Sequence, residues 1–251
     1  MRRREVDTTG VVYIDRVTFF RDIWDYNPGE HVTILAPTGG GKTQLAYGLL
    51  DVTATRDDPA VILVMKPRDE TIDNFTASVN KHSSNGKFVT VRDWPPAVVK
   101  SKLMSKPRGY VLWPKGSGSL EAQDDQQVRV FKRAIQDNYR KGHRITFADE
   151  TYSLENEMGL SRDLNRVWTK GRSMKNGLWA GSQRPVWISR WAYQAHHLFL
   201  GNDPDEAARK RYGEIGAGID PDLVRALTAK LKRYQFLYIN RDERTICIVG
   251  A

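Results

Sequence analysis

The sequence predicts an α/β fold, with a central, mostly parallel sheet flanked by helices and closed by a C-terminal β-hairpin. Three observations predict it. Short apolar runs rich in β-branched and aromatic residues recur along the chain, as buried parallel strands do. Segments with apolar residues at spacings of three and four separate several of them. One run, Val32 to Leu35, opens into a glycine-dense turn that leads directly into helix-like spacing.

Residues 1–30 read as a lead-in, with Val11 to Ile14 a short strand at the sheet edge and Val17 to Tyr26 an aromatic-rich segment. Residues 31–251 read as one domain, since no linker divides them. The stretch from His31 to Thr43 organises it. The turn Ala36-Pro37-Thr38-Gly39-Gly40-Gly41-Lys42-Thr43 follows a strand and precedes the helix Gln44 to Val52. Glycines let several backbone N–H groups turn toward one anion, and the opening helix adds the positive end of its dipole. Lys42 supplies a mobile cation and Thr43 a hydroxyl for Mg²⁺. Ala36 stands where the usual phosphate-loop pattern has its first glycine, but the spacing to Gly41, Lys42 and Thr43 fits. Pro37 to Gln44 are therefore the expected nucleotide-binding residues, with ATP and Mg²⁺ as ligands.

Further strands are expected at Val61 to Met65, Phe88 to Val91, Tyr110 to Trp113, Ile145 to Ala148, Leu178 to Gly181 and His197 to Leu200. Phe236 to Ile239 and Thr245 to Val249 form the hairpin around Asn240-Arg241-Asp242-Glu243. Helices are expected at Pro96 to Met104, Leu120 to Tyr139, Leu160 to Thr169, Pro204 to Tyr212 and Pro221 to Lys232. In the second of these, Val128, Phe131, Ile135 and Tyr139 make one buried face. The patches 82–86 and 115–119 read as loops. The second leaves the end of a strand, so Lys115 and its neighbours read either as a basic contact for a polyanion or as a linker.

A phosphate loop needs a partner carboxylate. The strand Arg144 to Ala148 ends in Asp149 and Glu150, which divide the work: Asp149 contacts the Mg²⁺ shell and Glu150 acts as general base toward water. That pair favours hydrolysis over kinase chemistry. Strand candidates lie between the two motifs, in agreement with the ATPase division that has an inserted strand and a catalytic glutamate (ASCE, RecA-like). Gln183 falls at the end of the next strand, placed to report loss of the γ-phosphate. Charge on the phosphoryl group in flight calls for an arginine. Arg162, Arg166, Arg172 and Arg184 are candidates, and Arg172, in the Lys-Gly-Arg-Ser turn, is the preferred one.

A net charge of +9 makes nucleic acid a reasonable partner before any motif is read. The single cysteine, Cys247, lies in an apolar run, excludes an intramolecular disulfide framework and reads as a small buried hydrophobe. No secretory signal follows the basic start, and no apolar run reaches membrane-spanning length, so a soluble, cytoplasmic chain is expected. Most of the seven tryptophans are expected in the core. Trp94, Trp168 and Trp187 remain candidates for surface contacts.

With these residues in hand, the chain resembles the FtsK/HerA superfamily of P-loop ATPases. Four features carry the resemblance: the phosphate loop, the strand followed by Met65-Lys66-Pro67-Arg68, the Phe-Ala-Asp-Glu strand end, and Gly171-Arg172 followed by Ser182-Gln183-Arg184-Pro185. Among its members the chain looks most like the compact viral genome-packaging motors of podovirus type, without a nuclease domain. The resemblance implies ATP-driven translocation of double-stranded DNA by a homo-oligomeric ring, a pentamer or hexamer. It also implies active sites at subunit interfaces, Arg172 acting in trans, and docking on a viral portal or procapsid in the host cytoplasm. Lys115, Lys170, Arg172 and Lys175 are candidates for the DNA grip. The alternatives are a cytosolic P-loop ATPase acting on protein or a single strand, as an assembly or secretion motor, and a nucleotide-gated binding module.

Overall fold

The computed structural model describes residues 10–82, 86–96, 106–115, 118–183 and 185–250. In chain order, the strands are β1 (Val12–Ile14), β2 (Val32–Leu35), β3 (Ala60–Leu63), β4 (Phe88–Val91), β5 (Gly109–Leu112), β6 (Arg144–Ala148), β7 (Asn176–Ser182), β8 (His197–Leu200), β9 (Phe236–Asn240) and β10 (Thr245–Val249). The helices are α1 (Arg16–Thr18), α2 (Lys42–Thr53), α3 (Glu70–His82), α4 (Leu120–Lys141), α5 (Ser161–Lys170), α6 (Glu206–Lys210) and α7 (Pro221–Thr228).

All ten strands form one sheet in the order β1-β10-β9-β8-β2-β7-β6-β3-β5-β4. From β8 across to β4 every pairing is parallel, so these strands send their carboxyl ends to one edge. The strand that separates β2 from β6 in space is β7, although it follows both in sequence. β9 pairs antiparallel with β8 and with β10, closing the expected hairpin. Because β9 runs backward, its first residues lie at the edge where β8 ends, with Leu237 opposite Leu200.

Side chains alternate across the sheet, as the pleat requires. Val61 and Leu63 of β3 join Phe131, Ile135 and Leu164 in the core beneath α4 and α5, while Ala60 and Ile62 join Leu45, Leu49 and Ile72 beneath α2 and α3. The lead-in packs into the second of these cores: Phe19 is fully buried, with its ring 4.8 Å from Tyr238 and 5.7 Å from Phe199. Cys247 is buried there as expected.

Several expectations change. The buried stripe of α4 is Val130, Phe131, Ala134, Ile135 and Asn138, rotated from the expected face, and Val128 and Tyr139 are only partly covered. α3 has no counterpart among the expected helices. It carries Ile72, Phe75 and Val79 at helical spacing, and the Asp69 side chain caps it by accepting from the N–H groups of Thr71 and Ile72. The helix expected from Pro204 is the short α6 followed by a 3₁₀ turn, and the last expected helix ends at Thr228. Trp94 and Trp168 are buried, whereas Trp187 is 57% exposed. The helix expected at Pro96 to Met104 lies almost wholly outside the described residues, as do Arg184 and parts of both glycine-bearing patches. Among the described residues no helix is long and apolar enough to cross a membrane.

Candidate nucleotide site

Every residue of the expected site except Arg172 gathers at the carboxyl edge of the parallel strands, where ligands of such sheets bind. β2 is wholly buried and delivers Ala36 to Gly41 into the cleft above it. Gly39 and Gly41 adopt φ of +73° and +88°, values that side-chain-bearing residues rarely take, and Gly41 caps α2. Gly40 closes the turn with its N–H on the Pro37 carbonyl at 3.0 Å. Pro37 through Gln44 line one open cleft of about 250 Å³, together with Lys66, Thr71, Gln183 and Tyr234.

The departure at Ala36 has a local compensation. Its methyl group is buried, and a Cβ added to Gly201 would approach it to 2.8 Å. Glycine at the end of β8 thus makes room for alanine at the end of β2. The Gly201 N–H also donates to the Leu35 carbonyl at 2.7 Å, holding the two strand ends together.

Three polar side chains meet beside the loop. Lys42, 5% exposed, places Nζ 2.7 Å from Asp149 Oδ1 and 3.0 Å from the Asp149 carbonyl. Thr43 Oγ1 donates to the same carboxylate at 3.0–3.1 Å. The next residue, Glu150, turns toward β7, where Ser182 Oγ donates to Glu150 Oε1 at 3.3 Å. Burial raises the Glu150 carboxyl above the usual range and Asp149 adds to this, against the lowering effect of Lys42 and of hydrogen bonds from Ser182 and Gln183. A carboxylate so placed is a better proton acceptor than a solvated one. Beyond β7, Gln183 Oε1 accepts from Thr38 Oγ1 at 2.5 Å, so the strand end and the phosphate loop touch directly. A second cleft of about 310 Å³ adjoins this flank, lined in part by Asp149, Glu150, Gln183 and Lys66.

The donor set fits Mg²⁺ with a nucleotide. One hydroxyl and one carboxylate, both oxygen ligands, suit an ion that takes its remaining ligands from phosphate and water. Among the described residues no group of three or more His, Cys, Asp or Glu forms an all-protein metal site.

Arg172 lies elsewhere. It begins the 3₁₀ turn Arg172–Met174 just before β7, at the amino edge of the sheet, where its side chain is 62% exposed and pairs with Asp242 at 3.4 Å. The structure therefore does not bring it to the phosphate loop of its own chain. Arg166 pairs with Asp163 at 3.8 Å. The expected grip residues also divide: Lys115 follows β5 at the carboxyl edge, with Nζ 4.5 Å from the centre of the Trp113 ring, while Lys170, Arg172 and Lys175 are exposed at the amino edge.

No family profile and no curated protein matches the sequence. Solved structures do match the fold. The genome packaging NTPase B204 from Sulfolobus turreted icosahedral virus 2, in complex with sulfate, has a TM-score of 0.56 over 90% of this chain and 98% of that chain, at 16% identity. Its complex with AMPPCP gives 0.55 over 89% and 98%. The fold is that of a P-loop NTPase. VirB4 of Thermoanaerobacter pseudethanolicus shares it with a TM-score of 0.58 over 91% of this chain and 92% of that chain, at 12% identity. At such identities these are likenesses of fold, and the P-loop geometry above is read from this chain's own residues.

Sequence reading left three residues at this P-loop unassigned. Lys66 lines both clefts, and its carbonyl accepts from Trp113 Nε1 at 2.7 Å. Arg233 and Tyr234 reach the loop from the start of β9, nearly two hundred residues later in the chain. No local motif marks Arg233 or Tyr234, whereas Lys66 belongs to the Met65-Lys66-Pro67-Arg68 element.

Proposed function

We propose that this chain is an ATPase motor of the FtsK/HerA kind that translocates double-stranded DNA, as in viral genome packaging, working as a homo-oligomeric ring. The observation that carries the proposal is the convergence of Lys42 and Thr43 on Asp149, with Glu150 beside them and Gln183, just after β7, bonded to the phosphate loop. The net charge of +9 and the fold shared with a genome packaging NTPase favour duplex DNA as the track.

In this reading the backbone N–H groups of Gly39 to Thr43 cradle the phosphates, and Lys42 exchanges its contact with Asp149 for the phosphate oxygens. Thr43 and Asp149 hold Mg²⁺, which when bound neutralises phosphate charge. Glu150 takes a proton from the attacking water as the water oxygen bonds to the γ-phosphorus and the bond to the β-phosphate oxygen breaks. Gln183, tied to Thr38, responds to the departure of phosphate and passes the change to β7. Arg172, exposed on the opposite edge, acts on the P-loop of a neighbouring subunit. Basic surface groups hold DNA through its phosphates, so binding is salt-sensitive and indifferent to sequence. Docking on a viral portal or procapsid completes the reading.

Displacement of a third strand from a DNA triplex tests it. ATP should drive displacement by the native chain at low salt, and Glu150→Gln should abolish it. ATP hydrolysis without displacement or DNA binding would move the reading to a motor acting on protein or on a single strand.

A further inference from the structure

The groups that face the γ-phosphate end, Asp149, Glu150 and Gln183, all flank the P-loop on its β6–β7 side. A nucleotide with its phosphates along the loop must carry its nucleoside off the other flank, above β8 and β9. A cleft of about 400 Å³ lies there, between the loop, the residues after β8 and the turn 232–235, within the size range of small-ligand sites.

That turn is built rather than incidental. Tyr234 has a φ of +69°, a backbone state that a bulky residue rarely adopts. Three hydrogen bonds hold it: Arg16 Nη2 donates to the Tyr234 carbonyl at 2.9 Å, the Lys232 N–H to Gln235 Oε1 at 2.8 Å, and the Gln235 N–H to the Lys232 carbonyl at 3.1 Å. The result presses the Tyr234 ring on the P-loop, where a Cβ added to Gly41 would lie 2.8 Å from Cδ1. Arg233 lies over the same ring, 4.7 Å from its centre, and donates Nε to the Gly39 carbonyl at 3.2 Å. A flat aromatic group backed by a cation, fixed beside a phosphate cradle, matches the π-face of a nucleobase.

We propose that the turn 232–235 is the nucleoside-binding half of the site, with Tyr234 the surface against which ribose and base lie and Arg233 the cation that completes the stack. This rests on the reading that the P-loop binds a nucleoside triphosphate. It assigns base contacts to the same chain as the phosphate contacts, with no second subunit required.

Calorimetric titration of the full chain with ADP and with inorganic tripolyphosphate tests it. Tyr234→Asn removes the ring with a residue that tolerates positive φ, and Arg233→Ala removes an exposed cation. Each should weaken ADP binding about tenfold, the range of base–aromatic stacking, while Tyr234→Asn leaves tripolyphosphate binding unchanged and Arg233→Ala, which also removes a charge beside the loop, weakens it less than it weakens ADP. Tyr234→Phe should bind ADP as the native chain does, and Lys42→Ala should lose both ligands. Equal losses for ADP and tripolyphosphate would mean that the turn only shapes the loop, and unchanged ADP binding would mean that it touches no nucleoside. Either result overturns the assignment and leaves the ATPase reading standing, whereas a native chain that binds neither ligand overturns both. Should Tyr234→Asn fail to fold by circular dichroism, Arg233→Ala decides the question.

Discussion

The two edges of the same parallel strands treat their polar groups in opposite ways. At the carboxyl edge Lys42, Thr43, Asp149 and Glu150 crowd two open clefts, with two carboxyl groups adjacent in the chain and one of them raised by burial. At the amino edge of β2, β7 and β8 the polar groups close on one another. His31 Nδ1 accepts from the Leu178 N–H at 3.0 Å, so its Nε2–H donates to the Trp168 carbonyl at 3.1 Å, and its own backbone N–H donates to His196 Nδ1 at 2.9 Å. Next to it, His197 Nε2 donates to Glu30 at 2.9 Å while its Nδ1 accepts from the Tyr238 hydroxyl at 2.9 Å. Burial pushes His31 down to about 3, so it is neutral at physiological pH. A polar group satisfied on all sides stabilises the sheet, whereas groups converging on a cleft have something left to bind.

The sharpest way to break that division is Arg172, an amino-edge residue to which the proposed function gives a catalytic task on a neighbouring subunit. In the proposed ring Arg172→Ala should lower hydrolysis by about a thousandfold, as loss of an arginine finger does. Its exposed pair with Asp242 contributes little to stability, so folding should be unaffected. Mixing Arg172→Ala with Glu150→Gln subunits should restore part of the activity, because some interfaces then pair an intact arginine with an intact glutamate. Mixtures that stay inactive would return Arg172 to a purely surface role.

Smaller effects sharpen the comparison within each edge. Lys42→Ala, which should no longer hold the phosphates, should reduce hydrolysis by at least roughly a hundredfold. Gln183→Ala, which removes the bond to Thr38, should cost about fivefold in turnover with nucleotide binding retained, matching one hydrogen bond of about 1 kcal/mol. At the other edge His31→Ala should leave hydrolysis intact at permissive temperature but reduce stability by about 3 kcal/mol in urea titration, since it strands the Leu178 N–H and the Trp168 carbonyl.

The same histidine sets a pH dependence. As pH falls below 6.5 the unfolded chain binds a proton at residue 31 while the folded chain, with its value near 3, does not. Stability should therefore be flat above pH 6.5 and decline between 6.5 and 3, by about 3 kcal/mol at pH 4. Glu30, held down to about 2 by His197 and the Asn27 N–H despite burial, adds a further loss in the same direction below about pH 4.5. Urea midpoints measured from pH 8 to pH 4 check the trend, and His31→Gln should remove the larger part of the decline that begins near pH 6.5, leaving the share of His196, which burial also lowers.

What the sequence made legible was local. The glycine turn after Leu35, the acids after Ala148 and the amide after Ser182 each announce themselves at the end of an apolar run, and the parallel sheet carries all three to one edge. The insertion of β7 between β2 and β6 is a matter of pairing, which no run of residues encodes. α3 escaped notice because Thr71, Asn74, Thr76 and Asn80 are weak helix formers, and its apolar face over α2 decides the outcome. Tyr234, Arg233 and the histidine network escaped for a different reason: their partners lie far away in the chain, and a tyrosine or histidine beside a strand looks the same whether it faces a ligand or another side chain. Ala36 departs from the usual phosphate-loop pattern, and only the fold shows its compensation, because Gly201 lies against it from another strand.

The most direct test of the central claim is ATP hydrolysis with and without duplex DNA, at low and moderate salt, for the native chain and for Glu150→Gln. Stimulation by DNA that falls with salt and disappears in the variant, which should lose at least about a hundredfold in turnover while still binding ATP, is the expected result. Robust hydrolysis indifferent to duplex DNA, or a Glu150→Gln chain as active as the native one, would contradict it.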